Sequence, residues 1–215
     1  MIKPLKKTPL PSRGATPTAA ATAILDVAER LAQTLGYNGF SYADIAAQLG
    51  VTKASLHYHF PSKAELGRAL IERYRGVFGA ALDAIDARTR EPREKLRQYV
   101  RLYESVLSNE RMCLCGMLAA EHATLPVPMQ EELKSFFDAN ERWLTIVLEE
   151  GHRAGELRFT ESARDRARVL IGALEGAMLV ARSYGSLPRF QAAAAFVLAD
   201  LGAGGYTGKR RARKA

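Results

Sequence analysis

The 215-residue chain is predicted to be all-α, with about nine helices. Three observations carry that expectation. Apolar residues recur at spacings of three and four along almost the whole chain, the period of a helix face. Ser and Thr stand where helices would begin and Gly where they would stop. Runs that alternate apolar and polar residues, the mark of half-buried strands, are almost lacking.

The elements follow in order. Ile24, Leu25, Ala28, Leu31, Ala32 and Leu35 form one helical face, stopped by Gly36. Ser41 with Asp44 has the form of a capping box and opens a short helix over 42–49. Gly50 permits a tight turn, and Thr52 caps a second short helix reaching about residue 60. Ser62 with Glu65 repeats the box and starts a long helix over 62–85, with Leu66, Leu70, Tyr74, Val77, Phe78, Ala81 and Ile85 on its apolar face. Pro92 suits a first helical turn, and Leu96, Tyr99, Val100, Tyr103 and Leu107 follow it on one side. A less polar stretch, 112–120, precedes a loop at 125–128. Leu133, Phe136, Phe137, Leu144, Val147 and Leu148 mark the next helix, which ends between Gly151 and Gly155. Two further helices are expected over 162–184 and 188–201, before Gly202, Gly204 and Gly205 release the chain.

Charge is concentrated at the two ends. Lys3, Lys6, Lys7 and Arg13 stand in 1–17, and Lys209, Arg210, Arg211, Arg213 and Lys214 in 205–215, with no acid in either. With a net charge of +8 for the whole chain, the body between them is nearly neutral. Basic tails on a neutral body suit a polyanion, because each neutralised phosphate releases counterions. No apolar run approaches the length of a membrane span, the N-terminus lacks the apolar stretch of a signal peptide, and the two cysteines are too few for a disulfide framework. A cytoplasmic, nucleoid-associated protein is expected, with no cofactor and no metal.

Residues 41–66 carry the most chemistry. Ile45, Leu49, Val51 and Leu56 are spaced to pack two short helices against a third, Ala46 allows close approach and Gly50 supplies the bend. That is what a helix-turn-helix requires, a first helix across the DNA backbone and a second in the major groove. Lys53, Ser55, His57, Tyr58 and His59 on the second helix all carry groups able to hydrogen-bond phosphates or base edges.

The stretch 24–74 resembles the DNA-binding domain of the TetR (tetracycline-repressor-like) family. The likeness rests on Gly36 ending the first helix, Gly39-Phe40-Ser41, Asp44-Ile45-Ala46, Leu49-Gly50-Val51, and Leu56, Phe60, Lys63 and Leu66. It implies that Lys53, Ala54 and Ser55 face base edges. His57, Tyr58 and His59 would contact backbone and neighbouring bases, Lys63 a phosphate, and Thr52 would cap the recognition helix and donate to phosphate. Where the family usually has tyrosine after Leu56, this chain has His57, with Tyr58 next.

The resemblance also implies a division into a basic arm (1–17), a helix-turn-helix domain (18–62), a ligand-binding and dimerisation domain (63–204) and a basic tail (205–215). Leu170, Leu174, Ala177, Met178 and Val197 are expected at the dimer interface, because small residues among apolar ones let two helix axes approach. Tyr103, Cys113, Cys115, Met117, Phe137 and Trp143 are expected to line a pocket for an apolar or electrophilic effector. The two thiols stand about 200° apart around a helix, and Arg111 nearby would favour a reactive thiolate. The function implied is a ligand-responsive repressor. Its homodimer binds a near-palindromic operator in double-stranded DNA, and the effector swings the heads apart through the long helix at 62–85. The alternative is a DNA-architectural protein without a ligand. An enzyme built on Cys113 or Cys115 with His122 or His152 lacks an oxyanion-hole or phosphate loop.

Overall fold

The computed structural model describes residues 18–203; the basic arm and tail, and what was expected of them, lie outside the described residues. Nine α-helices are present in that span: α1 (Ala19–Leu35), α2 (Tyr42–Leu49), α3 (Lys53–His59), α4 (Lys63–Arg88), α5 (Pro92–Ser108), α6 (Leu114–Ala120), α7 (Val127–Arg153), α8 (Ala163–Ser183) and α9 (Leu187–Ala203). A single 3-10 turn at His122–Thr124 joins α6 to α7.

Local chemistry sets these boundaries. The side chains of Thr18, Thr52 and Ser162 each accept a backbone amide of the helix they precede, and Ser41 and Ser62 form complete capping boxes with Asp44 and Glu65. Pro92 opens α5 at a position where no amide is needed. The expected loop at 125–128 is shorter than its prolines suggested. α7 begins at Val127 and takes Pro128 into its first turn, for the same reason that α5 begins on Pro92.

Helices α1–α3 form a head and α5–α9 a body, with α4 running from one into the other. α4 packs along α7, α7 along α8, and α8 along α9, while α5 is held against α7, α8 and α9. The core follows this path without a break, from Ile45 and Leu56 in the head through Leu70, Ile71 and Phe78 to Tyr99, Phe136, Leu144, Leu174 and Phe190. Head and body are also tied by polar contacts. Arg73 of α4 pairs with Asp26 and Glu29 of α1 at 2.6 Å each. Arg182 of α8 donates to the carbonyls of Gln33 (2.9 Å) and Thr34 (2.6 Å), which are free at the end of α1. Glu121, just past α6, accepts the amides of Tyr37 (2.5 Å) and Asn38 (3.2 Å).

Candidate nucleic-acid interface and effector region

The recognition element is built from a turn and two anchors. Gly50 closes α2 at φ +66°, a left-handed conformation that side-chain-bearing residues rarely adopt, and its amide bonds to Ala46. Leu56 of α3 and Ile45 of α2 are wholly buried, which fixes which side of α3 faces inward. Tyr42 holds the far end. Its hydroxyl donates to the carbonyl of Phe60 at 2.7 Å, and its ring lies 4.6 Å from that of His57. Val51 departs from expectation: it is 43 % exposed, because the turn carries it out of the wedge that Ile45 and Leu56 fill.

The outward side of α3 carries Lys53, Ala54, His57 and Tyr58, with Thr52 exposed at its cap and Ser55 and His59 half-buried beside them. Tyr58 is 80 % exposed, so it fills no place in the core. His57 Nδ1 lies 3.1 Å from the carbonyl of Pro61, leaving Nε2 as the free edge of the ring. Lys63 is placed otherwise than expected. Its ammonium turns inward onto the carbonyls of Tyr37 and Phe40 and sits 4.5 Å from the centre of each of those rings. Desolvation pushes its pKa below the usual lysine value. In this arrangement it secures the loop between α1 and α2, and a phosphate contact by Lys63 requires those bonds to open.

Phe40, Ser41, Tyr42, Ala43, Lys53, His57 and Lys63 border a depression of about 340 Å³ beside α3. Ser41, Tyr42 and Ala43, at the start of α2, were not singled out from the sequence as DNA-facing residues. Their signal was the capping box itself, since a helix N-terminus offers amides to an anion.

The six residues expected to line an effector pocket are brought to the body but not to one chamber. Tyr103, Cys113 and Cys115 are fully packed, Tyr103 against Phe78 and hydroxyl to hydroxyl with Tyr99 at 3.1 Å. Met117, Phe137 and Trp143 are partly buried at the edge of the same core. Trp143 stacks on Tyr99 and donates its indole N–H to Asp86 at 2.8 Å. An open cleft of about 370 Å³ lies instead at the junction of head and body, with Glu29 and Gln33 of α1, Tyr74, Val77 and Phe78 of α4, and Leu102 and Val106 of α5 among its lining. Both cysteine thiols are free, and burial pushes both well above the usual thiol range, so neither rests as a thiolate. Arg111 lines the cleft and does not offset that burial. His122 and His152 are exposed while both cysteines are buried, and no group of His, Cys, Asp or Glu among the described residues is arranged to hold a metal. No helix among them is long and apolar enough to cross a membrane.

The expected dimer residues need correction. Leu170, Leu174 and Met178 are fully buried inside the protomer, and Ala177 and Val197 are partly buried. The small residues they were grouped with are the ones that face out. Gly172 and Gly176, with open space where a Cβ would stand, share the outer side of α8 with Val169, Leu179 and Val180. Ala192, Ala195 and Phe196 of α9 are exposed as well, Phe196 at 67 %. The helix is apolar on two sides, and Leu170, Leu174 and Met178 belong to the side that faces the protomer's own core.

Known proteins share this arrangement. Residues 24–70 match the family model described as "Bacterial regulatory proteins, tetR family", and residues 79–197 match "Tetracyclin repressor-like, C-terminal domain". A TetR-family transcriptional regulator from Agrobacterium tumefaciens superposes with a TM-score of 0.84 at 36 % identity, covering 87 % of this chain and 100 % of that one. A TetR regulator from Legionella pneumophila superposes at 0.78 with 34 % identity, covering 87 % and 99 %. The transcriptional regulator AcuR of Cereibacter sphaeroides is 30 % identical over 151 residues, 68 % of this chain and 69 % of its own length. The nucleoid occlusion factor SlmA of Photobacterium profundum is 27 % identical over 154 residues, 71 % of this chain and 78 % of its own. With both domain models matched in order on a helix-turn-helix head and an all-helical body, the chain belongs to the TetR family of transcriptional regulators.

Proposed function

We propose that this regulator is a ligand-responsive repressor that binds a near-palindromic operator as a homodimer. The observation that carries the reading is the bare apolar stripe of Val169, Gly172, Gly176, Leu179 and Val180 on α8, continued by Phe196 on α9. Apolar side chains flanking two bare glycines suit close helix packing against a second copy. A twofold pair then sets two α3 helices on one side of a duplex, about 34–36 Å apart, one helical turn. On each α3, Lys53, Ala54 and Ser55 read base edges, and His57, Tyr58 and His59 reach backbone and flanking bases. Thr52 stands at the helix N-terminus, where a phosphate is favoured. Basic side chains at 1–17 add phosphate contacts.

The effector acts at the head–body junction. The end of α1 is held by Arg182 of α8 and the loop after it by Glu121, so a small shift of α6 or α8 moves the head. Moving a two-state equilibrium from 1:99 to 99:1 requires about 5.5 kcal/mol of differential binding. A sensing role for Cys113 or Cys115 demands that substitution by Ser, singly and together, abolish an electrophile response. The buried, protonated thiols weigh against it.

The similarity to a nucleoid occlusion factor favours a second reading, DNA binding without a small-molecule ligand. Fluorescence anisotropy on DNA from the upstream region, with scrambled competitor across a salt series, separates the two. The repressor reading predicts competitor-resistant binding at two or four protomers per site. Binding that scrambled DNA competes away equally favours the second.

A further inference from the structure

Glu175 lies on the inner side of α8, between Leu174 and Met178 of the core. Both of its carboxylate oxygens are buried, and no nitrogen or oxygen donor among the described residues reaches either of them; only the weak thiol donor of Cys113 stands against the group. Its seat is shaped by Gly116 of α6, where any side chain would run into the carboxylate. Burial without a countercharge is costly for a carboxylate and, only partly offset by the Cys113 thiol, pushes its pKa up to about 7.

The surroundings say what is missing. The Cys113 thiol lies beside Glu175, and the phenols of Tyr74, Tyr99 and Tyr103 are close enough for its charge to be felt. None of the salt bridges in the described residues reaches it, Arg75 pairing with Glu132 and Lys95 with Asp86 and Glu150. An anion arriving here meets another acid with no countercharge, and a neutral apolar molecule leaves the carboxylate unsatisfied. Tyr74, Phe78, Tyr99, Tyr103 and Phe136 form a cluster with centroids 5.3 to 6.2 Å apart, and ring faces also favour a cation.

The junction cleft gives the way in. Tyr74 and Phe78 are part of its lining, and the Tyr74 hydroxyl stands 3.8 Å from the Cys113 sulfur. Gln33 lines the same cleft, and its Oε1 is a second buried acceptor with no donor. The Gln33 carbonyl receives both the Met112 amide (3.2 Å) and the Arg182 guanidinium (2.9 Å). A molecule lodged between Gln33 and Glu175 therefore bears on α1 of the head and α8 of the body together.

We infer that Glu175 anchors the effector, and that the effector is a small organic cation, an alkyl- or arylammonium whose N–H groups satisfy this carboxylate. The inference rests on the reading of the chain as ligand-responsive and names the chemistry of its ligand. Entry displaces Tyr74 or Phe78, which ties binding to a change at the junction.

The test is calorimetric titration of the full chain at pH 7.5 with three probes of one shape: 2-phenylethylammonium, 2-phenylethanol and 3-phenylpropionate. The ammonium is expected to bind at least about tenfold more tightly than the other two, the size of one charge-assisted hydrogen bond. Glu175→Gln is expected to lose at least that factor, whereas Glu149→Gln, an exposed carboxylate on α7, is expected to keep it. Equal or tighter binding of the anion, no binding of the ammonium, or undiminished ammonium binding by Glu175→Gln overturns the inference. Because charge preference is read on the unaltered chain, a variant that fails to fold does not rescue it. DNA anisotropy on the same preparation without probe keeps the two readings apart. Operator binding without ammonium preference removes only the anchor, while ammonium binding without operator binding removes the repressor reading.

Discussion

Two helices leave a side uncovered, and the two sides are opposite in kind. α3 turns Lys53, His57 and Tyr58 outward, whereas α8 turns out Val169, Gly172, Gly176, Leu179 and Val180. A short polar helix held by one buried leucine is suited to a charged, wet surface such as a duplex groove. A long helix apolar on both sides is suited to burial on both sides, one within the protomer and one outside it. The difference teaches that exposure alone does not mark a binding surface; its chemistry names the partner.

The contrast is broken most severely on α8. Leu179→Glu with Val180→Glu places two charges on the bare stripe and is expected to weaken dimerisation by about 4 kcal/mol, roughly 1,000-fold, with operator affinity falling in step. Analytical ultracentrifugation checks it, and a variant still dimeric at nanomolar concentration contradicts it. The inner side of the same helix is expected to respond to pH. The folded pKa of Glu175, about 7, lies above its unfolded value, so the folded state holds the extra proton. The contribution of Glu175 to stability is therefore fully present below about pH 4.5 and is lost, by about 3 kcal/mol, as pH rises through 7. Glu175→Gln removes this loss and is expected to be the more stable protein at pH 8 in urea denaturation; a variant less stable at both pH 5 and pH 8 contradicts the assignment.

Changes on α3 are expected to be smaller and confined to DNA. Tyr58→Ala and Lys53→Ala each lower operator affinity by about tenfold, and Lys53→Ala also relaxes the sequence preference at the base it reads. Sedimentation of both variants stays that of the unaltered chain. Smallest is Val51→Ala. Because Val51 is exposed, its removal is expected to change stability by less than about 0.5 kcal/mol, while Leu56→Ala costs about 2–5 kcal/mol. Equal losses at the two positions in thermal denaturation place Val51 in the wedge after all.

The helices were legible because their signals are local. Ser41 with Asp44, Ser62 with Glu65 and Pro92 each fix a start within a few residues, and the structure places α2, α4 and α5 there. Pro128 misled because proline is a breaker in the middle of a helix and a starter in its first turn. The exposed donors of α3 were legible for a related reason: Leu56 fixes one side, so the others follow by geometry. Sidedness on α8 was not legible, since Leu170, Leu174 and Met178 are as apolar as Val169, Leu179 and Val180. Only packing against α7 and α9 decides between them. Lys63 was misplaced because nothing local shows that carbonyls 23 and 26 residues upstream converge on its ammonium. Glu175 passed unnoticed as one acid in a helix, and its isolation exists only in three dimensions.

The most direct test of the account is the stoichiometry of the full chain on an operator-length duplex from its own upstream region. It is measured by anisotropy at protein concentrations above the dissociation constant, beside the Leu179→Glu/Val180→Glu variant. The account predicts an even number of protomers per site for the unaltered chain and loss of that complex in the variant, because the polar side of α3 is useful only when α8 has found its second copy. One protomer per site, or a variant that binds as tightly as the unaltered chain, contradicts it.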